Sequence, residues 1–341
     1  MDLYEICRSM KGFNYSPSYS PTAFGEWDKF DAEVWRTEIG RGKKYFPKMN
    51  TLRIWLDWNT YRCIPEKAVK GFGSVLDIAD EFDIKIMPTL FDRWHDPTDD
   101  IYEWGGIYLE HFADHDFTKF ESFIKDIVGT FKNDDRIVMW DLCNEPKINP
   151  MHKRGRPPLR EHDWLHWGKD TVREVASAQL ELEWLRWVAD MTRKAGATQP
   201  ITMGVRLPSE VECVADFLDV LCFHPYRGED IPIGRAWEDA FARLCDVAVE
   251  IAQRKGKPLI ANETCTGSLD DKKREEIIHR SLGPLKERGI GWCCWILHGG
   301  LHITCNREAT DTNAPLGDRG YMAFIEADGS LRPGSEACNE Y

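Results

Sequence analysis

Ile137-Val138-Met139-Trp140-Asp141-Leu142-Cys143-Asn144-Glu145-Pro146 is an apolar run of strand type that ends abruptly in three residues of different chemistry. Proline cannot extend a strand inside a parallel sheet, so Pro146 turns the chain out and leaves Asn144 and Glu145 at the strand's carboxyl end. A second run, Lys257-Pro258-Leu259-Ile260-Ala261-Asn262-Glu263, stops on the same Asn-Glu pair. Six further apolar or β-branched runs lie near 11–15, 50–55, 85–90, 201–205, 220–224 and 289–297. Most are separated by helical patterns. Phe117, Phe120, Ile124, Ile127, Val128 and Phe131 recur at steps of three and four behind Asp116, a candidate cap. Leu180, Trp184, Trp187, Val188 and Met191 form a stripe that Gly196 should stop, and Trp237, Phe241, Leu244, Val247, Ala248 and Ile251 form another. Ser268 and Asp271 have capping-box spacing before Ile277, Ile278, Leu282 and Leu285.

Strands alternating with helices pair in parallel through right-handed crossovers, and eight such units close naturally into a ring. The expected fold is α/β, a (β/α)8 TIM barrel formed by residues 1–341 as a single domain with enlarged βα loops. A doubly wound open sheet is the alternative. Against it, Gly12-Phe13-Asn14-Tyr15 and the residues that follow supply neither a dinucleotide fingerprint nor a phosphate loop.

The 341 residues are 42% hydrophobic and 30% charged, an ordinary globular balance. The formal charge of -13 opposes a nucleic-acid partner, whose phosphates select a basic excess. No apolar run approaches the roughly 20 residues of a membrane helix, so no membrane partner is expected. Eleven scattered cysteines without paired CxxC elements suit buried free thiols in a reducing compartment, and no basic and apolar leader opens the chain. A cytoplasmic location is the expectation. Nothing in the sequence sets the oligomeric state.

Segments after strands are long, at 16–30, 92–115, 147–169 and 298–320, whereas segments entering strands are short. In a barrel the loops after strands build the working face. They are rich in aromatic residues, among them Trp27, Trp58, Trp94, Trp104, Trp164 and Trp167, which would suit the apolar faces of sugars. The same rings could instead pack beneath the loops.

Counted as strands four and seven, the two Asn-Glu runs stand on opposite sides of the ring, with both glutamates at its carboxyl face. Two carboxyls so placed can cleave an acetal, one protonating the leaving oxygen and the other meeting the developing cationic carbon. Unequal surroundings split their pKa values, so that one stays protonated while its partner stays charged.

These segments, taken in order, resemble retaining glycoside hydrolases of clan A, and most nearly glycoside hydrolase family five in its mannanase-like branch. Trp140 to Pro146 is similar to that family's acid/base strand, which implies Glu145 as acid/base and Asn144 as a donor to the sugar's 2-hydroxyl. The resemblance of Lys257 to Glu263 implies Glu263 as nucleophile, and that of Asn50 to Trp55 implies Arg53 as its brace. Phe223-His224-Pro225-Tyr226 resembles the sixth-strand motif, where the histidine orients the acid/base and the tyrosine contacts the nucleophile. Trp295 would floor the sugar subsite. Trp94, His95 and Trp58 are further candidates for substrate contact.

The expected partner is an oligosaccharide or glycoside, with β-mannosides suggested by the branch, and neither cofactor nor metal is expected. The chain departs from the family in having Thr264-Cys265-Thr266-Gly267 after Glu263 and Asn262 where a second acid is frequent.

Three other classes compete, one of them cysteine chemistry at Cys143, two residues before Glu145, or Cys265, two beyond Glu263, although no Cys-His frame stands out. A metal-dependent barrel hydrolase would use His111 and His115, His162 and His166, or His298 and His302, each pair four apart but none in an HExxH frame. A non-catalytic carbohydrate-binding barrel would keep the aromatic loops, although it would have no use for both glutamates.

Overall fold

Each of the eight apolar runs contains a strand in the computed structural model: β1 (Lys11–Asn14), β2 (Thr51–Trp55), β3 (Lys85–Thr89), β4 (Trp140–Asn144), β5 (Ile201–Gly204), β6 (Leu221–Cys222), β7 (Leu259–Thr264) and β8 (Gly291–Cys294). The structure describes residues 2–20, 22–93, 106–148, 163–226, 235–265, 268, 270–298, 322–326 and 328–341, with the side chains of 163–174, 235 and 237 outside that description. The strands run parallel in the order β5-β4-β3-β2-β1-β8-β7-β6. Where the ends of that order meet, the Val220 N–H donates to the Ile201 carbonyl at 3.2 Å and Thr202 Oγ1 to the Val220 carbonyl at 3.0 Å. The result is a nearly closed (β/α)8 TIM barrel.

Several strands are shorter than their apolar runs. Ile137 makes only an isolated bridge to Ile86 before β4 begins, and β6 keeps two residues because the chain after Cys222 leaves the ladder. The two strands that carry the glutamates each slip in register near their carboxyl ends, between Asp141 and Asn144 against β5 and between Ala261 and Thr264 against β8. Such bulges re-aim side chains at a barrel rim.

Inside the ring, Met87, Met139, Val220, Cys222, Ile260 and Cys293 pack together, and Cys7 and Met10, from the helix Leu3–Ser9 and just after it, cover their lower end. That helix can cross the floor because residue 291 is glycine, since a Cβ there would lie 1.9 Å from the Cys7 carbonyl. The larger core lies between strands and outer helices. Pro65–Asp80 contributes Phe72, Val75 and Leu76, and Glu121–Phe131 contributes Phe123, Ile124, Ile127 and Val128, all buried. Each such side chain contributes about 1.5–3 kcal/mol by leaving water.

Asp116 accepts from the Thr118 N–H but stands one residue before the N-cap, which is Phe117, and the first turn is a 3-10 helix (Thr118–Phe120). Gly196 follows the end of its helix with φ +96°. The capping box expected from Ser268 and Asp271 is displaced by one residue. Asp270 is the cap, accepting from the N–H groups of Lys272 and Lys273, while Ser268 Oγ accepts from the Asp270 N–H and braces the turn.

Trp27 is a second correction. The segment after β1 folds into a helix (Ala23–Asp28) whose apolar face must be covered, so Trp27 lies buried against Trp35 and Gly71 instead of on the working face. Trp184 is buried as its stripe implied, whereas the side chain of Trp237 lies outside the described residues.

Candidate active site

At the carboxyl end of β4, Asn144 still pairs with the neighbouring chain, donating its N–H to the Phe91 carbonyl at 2.8 Å. The turn falls on the next residue. Glu145 has φ +44°, a left-handed backbone uncommon outside glycine, and its N–H donates to the Gly204 carbonyl at 2.8 Å. Across the ring, Glu263 projects from β7 just before Cys265, which has φ +62°. Both carboxyl side chains are almost fully buried, at 7% and 6% exposure. Oxygens of the two, together with a ring nitrogen of His224, lie within 4.8 Å of one another.

Arg53 holds this arrangement from below. It is wholly buried, and its guanidinium donates to Asp141 Oδ2 at 2.8 Å, Asn14 Oδ1 at 3.0 Å, Asn144 Oδ1 at 2.8 Å and Glu263 Oε1. A guanidinium fork suits this task because its five donors are fixed in a plane. Asp141 also accepts from Thr89 Oγ1 at 3.0 Å, Asn262 Nδ2 at 3.1 Å and the Gly204 N–H at 3.0 Å. The other oxygen of Glu263, Oε2, accepts from the Tyr226 hydroxyl at 2.8 Å. Asn144 turns its Nδ2 to Asp92 at 3.0 Å.

The two glutamates therefore differ in their surroundings. Glu263 receives a guanidinium and a phenol, while Glu145 meets Nδ1 of His224 at 2.7 Å. Burial raises the pKa of Glu145, and the charge of Glu263 adds to the rise against the opposing pull of His224. Burial alone would lower the pKa of His224, but the charges of Glu263 and Glu145 outweigh it and the net shift is upward. The Glu145–His224 pair thus titrates together.

Gly204 makes the close packing possible. A Cβ there would lie 2.6 Å from His224 Nε2, 3.0 Å from Arg53 Nη2 and 3.1 Å from Asn262 Oδ1. Above the guanidinium, Trp55 stacks at 4.8 Å and meets the edge of Trp295 at 5.4 Å between ring centroids, both rings partly exposed. The Trp295–Ile296 peptide is cis.

Arg53, Asn144, Glu145, His224, Tyr226 and Glu263 thus converge, with Trp295 beside them. Trp58 does not join them. It follows the cap residue Asp57 of a short helix, is 3% exposed, and has its ring covered by Phe120, His111 and the Arg62 guanidinium. It is a packing residue, because the helix that begins there faces the core. Trp94 and His95 lie outside the described residues, as do Trp104, most of the long segments after β3, β4 and β8, and the side chains of Trp164 and Trp167.

Asn14, Trp55, Asp141, Gly204 and Asn262 were not assigned from sequence. Asp141 and Asn262 carried a usable signal, as polar side chains inside otherwise apolar strands, and Trp55 shares the pleat face of Arg53 two residues away.

Glu145, His224 and Glu263 are the one group of metal-ligating type brought together among the described residues. The Arg53 guanidinium already occupies the electropositive position beside Glu263, and a cation added there would be repelled by it. Of the spaced histidines, His111 Nδ1 accepts from the Tyr108 N–H and His115 lies 3.6 Å from Glu183, while the partners 162, 166 and 302 fall outside the described side chains.

No curated protein matches the chain. Among solved structures it is similar to an exo-beta-1,4-mannosidase from Opitutaceae bacterium strain TAV5, at 16% identity and TM-score 0.67 over 97% of this chain and 58% of that one. It is also similar to a GH5_18 protein from Streptomyces cattleya in complex with Manb1-4GlcNAc, at 14% identity and TM-score 0.70 over 97% and 79% of the two chains. An endo-beta-1,4-mannanase from Thermotoga petrophila follows at 12% identity and TM-score 0.60, over 97% and 76%. The chain thus spans less than two thirds of the first of these, and the likenesses concern the fold. The sequence profile described as Cellulase (glycosyl hydrolase family 5) matches residues 43–300, and the chain belongs to that family of glycoside hydrolases.

Proposed function

We propose that this protein is a retaining β-glycosidase, with Glu263 as nucleophile and Glu145 as acid/base. The observation that carries the reading is the pair of buried carboxyls with oxygens within 4.8 Å and unlike partners. Retaining enzymes hold their carboxyls about 5–5.5 Å apart, whereas inverting enzymes leave about 6.5–9.5 Å for a water.

In the first step a Glu263 oxygen attacks the anomeric carbon, the glycosidic C–O bond breaks, and the leaving oxygen takes the proton of Glu145. In the second, Glu145 removes a proton from water as the water oxygen attacks the same carbon, and the glycosyl ester bond breaks to return the Glu263 carboxylate. The Arg53 and Tyr226 donors orient Glu263 for attack. Trp295 and Trp55 offer apolar faces to the sugar, and Asn144 is the candidate donor to its 2-hydroxyl.

The substrate proposed is a β-mannoside. Support comes from the mannanase-like segments of the sequence, and the names of the similar mannosidase and mannanase agree with it. Exo action on an oligosaccharide or glycoconjugate within the cytoplasm, by one barrel spanning the chain, is part of the same reading, and its cytoplasmic part is supported by eight buried free cysteines among the described residues.

A panel of aryl β-glycosides, followed by proton NMR of the first-formed anomer, tests it. Release of the β-anomer is expected, with loss of turnover in Glu263→Ala and azide rescue of Glu145→Ala on an activated aryl glycoside. Sugar binding with no turnover of any glycoside would favour the non-catalytic barrel, and release of internal fragments from a polymer would reject exo action.

A further inference from the structure

With Glu145 as the acid/base, we propose that Asn262 is a positioning residue that fixes the tautomer of His224 and so keeps a deliverable proton on the Glu145–His224 pair. The Asn262 side chain bridges two groups. Its Nδ2 donates to Asp141 Oδ2 at 3.1 Å, while its Oδ1 lies 2.9 Å from His224 Nε2 and accepts from Cys222 Sγ at 2.7 Å. Asp141 takes donors from Arg53, Thr89 and the Gly204 N–H as well, so its oxygens act as acceptors. The amide must therefore present its NH2 to Asp141, which leaves its oxygen for the histidine. An amide oxygen only accepts, so Nε2 carries a hydrogen whether the ring is charged or neutral.

Nδ1 is then the ring position that titrates, and it faces Glu145 Oε1 at 2.7 Å. One proton occupies that contact, either on Nδ1 of an imidazolium or on the Glu145 carboxyl. Removing it altogether would set the Nδ1 lone pair against a carboxylate, an arrangement that disfavours the loss. A ring free to lose the Nε2 hydrogen would escape this by donating from Nδ1, and Glu145 would then rest as a carboxylate with no proton for the leaving oxygen.

The other charged or titratable groups facing the pair come from five directions: Arg53 on β2, Asp141 on β4 through Asn262, Arg206 beyond β5, Cys222 and Tyr226 on and beyond β6, and Glu263 on β7, whose Oε2 is 3.4 Å from Nδ1. Asn262→Leu matches the side chain in heavy-atom count and removes the Nε2 acceptor, together with the Nδ2 donor to Asp141. The wild-type 15N spectrum is therefore read beside the variant, since it reports the tautomer with the contact to Asp141 intact.

The test is the pH profile of kcat/KM on a glycoside with a poor alkyl leaving group, whose departure needs the acid. It is combined with 15N NMR of histidine-labelled wild-type protein, the His224 signal being assigned by its loss in His224→Gln. In Asn262→Leu the alkaline limb is expected to fall by about one pH unit, the equivalent of one lost hydrogen bond. In wild type, Nε2 should keep its hydrogen on both sides of the Nδ1 titration. A neutral wild-type ring with its hydrogen on Nδ1 overturns the proposal, as does an unmoved alkaline limb in a folded Asn262→Leu. If that variant does not fold, the wild-type spectrum decides alone. Absence of any glycosidase activity would instead refute the role of Glu145, and the spectrum would still test the tautomer.

Discussion

Replacing Gly204 with alanine adds one methyl group at the most crowded point of the site. Its Cβ would stand 2.6 Å from His224 Nε2, so the imidazole would have to retreat by about 0.8 Å to reach an ordinary contact of 3.4 Å. It cannot do so freely, because Nε2 is held by Asn262 and Nδ1 by Glu145. Arg53 Nη2 at 3.0 Å and Asn262 Oδ1 at 3.1 Å must yield a few tenths of an ångström as well. Overpacking of this kind costs about 1–3 kcal/mol of stability. A displacement near 1 Å in a group that contacts the proposed acid/base costs roughly 100-fold in rate, equivalent to about 2.7 kcal/mol in the transition state.

The expected outcome for Gly204→Ala is therefore a folded protein, melting several degrees lower, with kcat/KM on an aryl glycoside down by about two orders of magnitude. Gly129→Ala is the control. It lies in the helix Glu121–Phe131 with its nearest neighbour, the Ala195 carbonyl, at 3.7 Å, so it should leave activity unchanged and gain about 0.5–1 kcal/mol from helix propensity. Wild-type kcat/KM in Gly204→Ala, with the 15N signals of His224 unmoved, would refute the claim that this glycine is needed for the network.

Glu26 offers a stability prediction. Burial pushes its pKa up to about 8, against a lowering by the Ser16 hydroxyl, and the charge of Asp57 adds to the rise. Between the unfolded value near 4.5 and 8 the folded state binds the extra proton, so stability is full at acid pH and falls as pH rises through that window, by about 5 kcal/mol at most. Glu26→Gln should flatten that fall and melt above wild type at pH 8 but not at pH 4, and equal slopes in the two proteins would count against it. The tryptophans separate by position. Trp58→Ala should cost about 3–5 kcal/mol in denaturant unfolding with KM unchanged, whereas Trp295→Ala should raise KM with little loss of stability, and the opposite pattern would reverse their assignments.

The barrel was legible because its determinants are local. Parallel strands covered on both faces read as apolar runs, the helices between them read at period 3.6, and a run that stops on Asn-Glu-Pro can stop only at a strand's carboxyl end. Glu145 and Glu263 could be singled out for that reason, whereas Arg53 was reached through the family resemblance of Asn50 to Trp55. Trp27 and Trp58 were misplaced because position after a strand does not tell whether the next residues turn into a helix that buries its own aromatic face. Ser268 and Asp271 show the same limit on a smaller scale, since acceptors at 268, 270 and 271 compete and backbone geometry chooses the middle one.

The sequence by itself determined the repeating strand and helix order, the end of the barrel that would do chemistry, and the two carboxylates on it, since each depends on residues close along the chain. The family resemblance implied that His224 meets Glu145 while Arg53 and Tyr226 meet Glu263; only the tertiary structure shows those contacts being made, because they join residues 37 to 210 positions apart. It also made Asn14, Asp141, Gly204 and Asn262 parts of the site. Their effect depends on the direction of a hydrogen bond or on the space left by a missing methyl group, and both arise only when the ring closes.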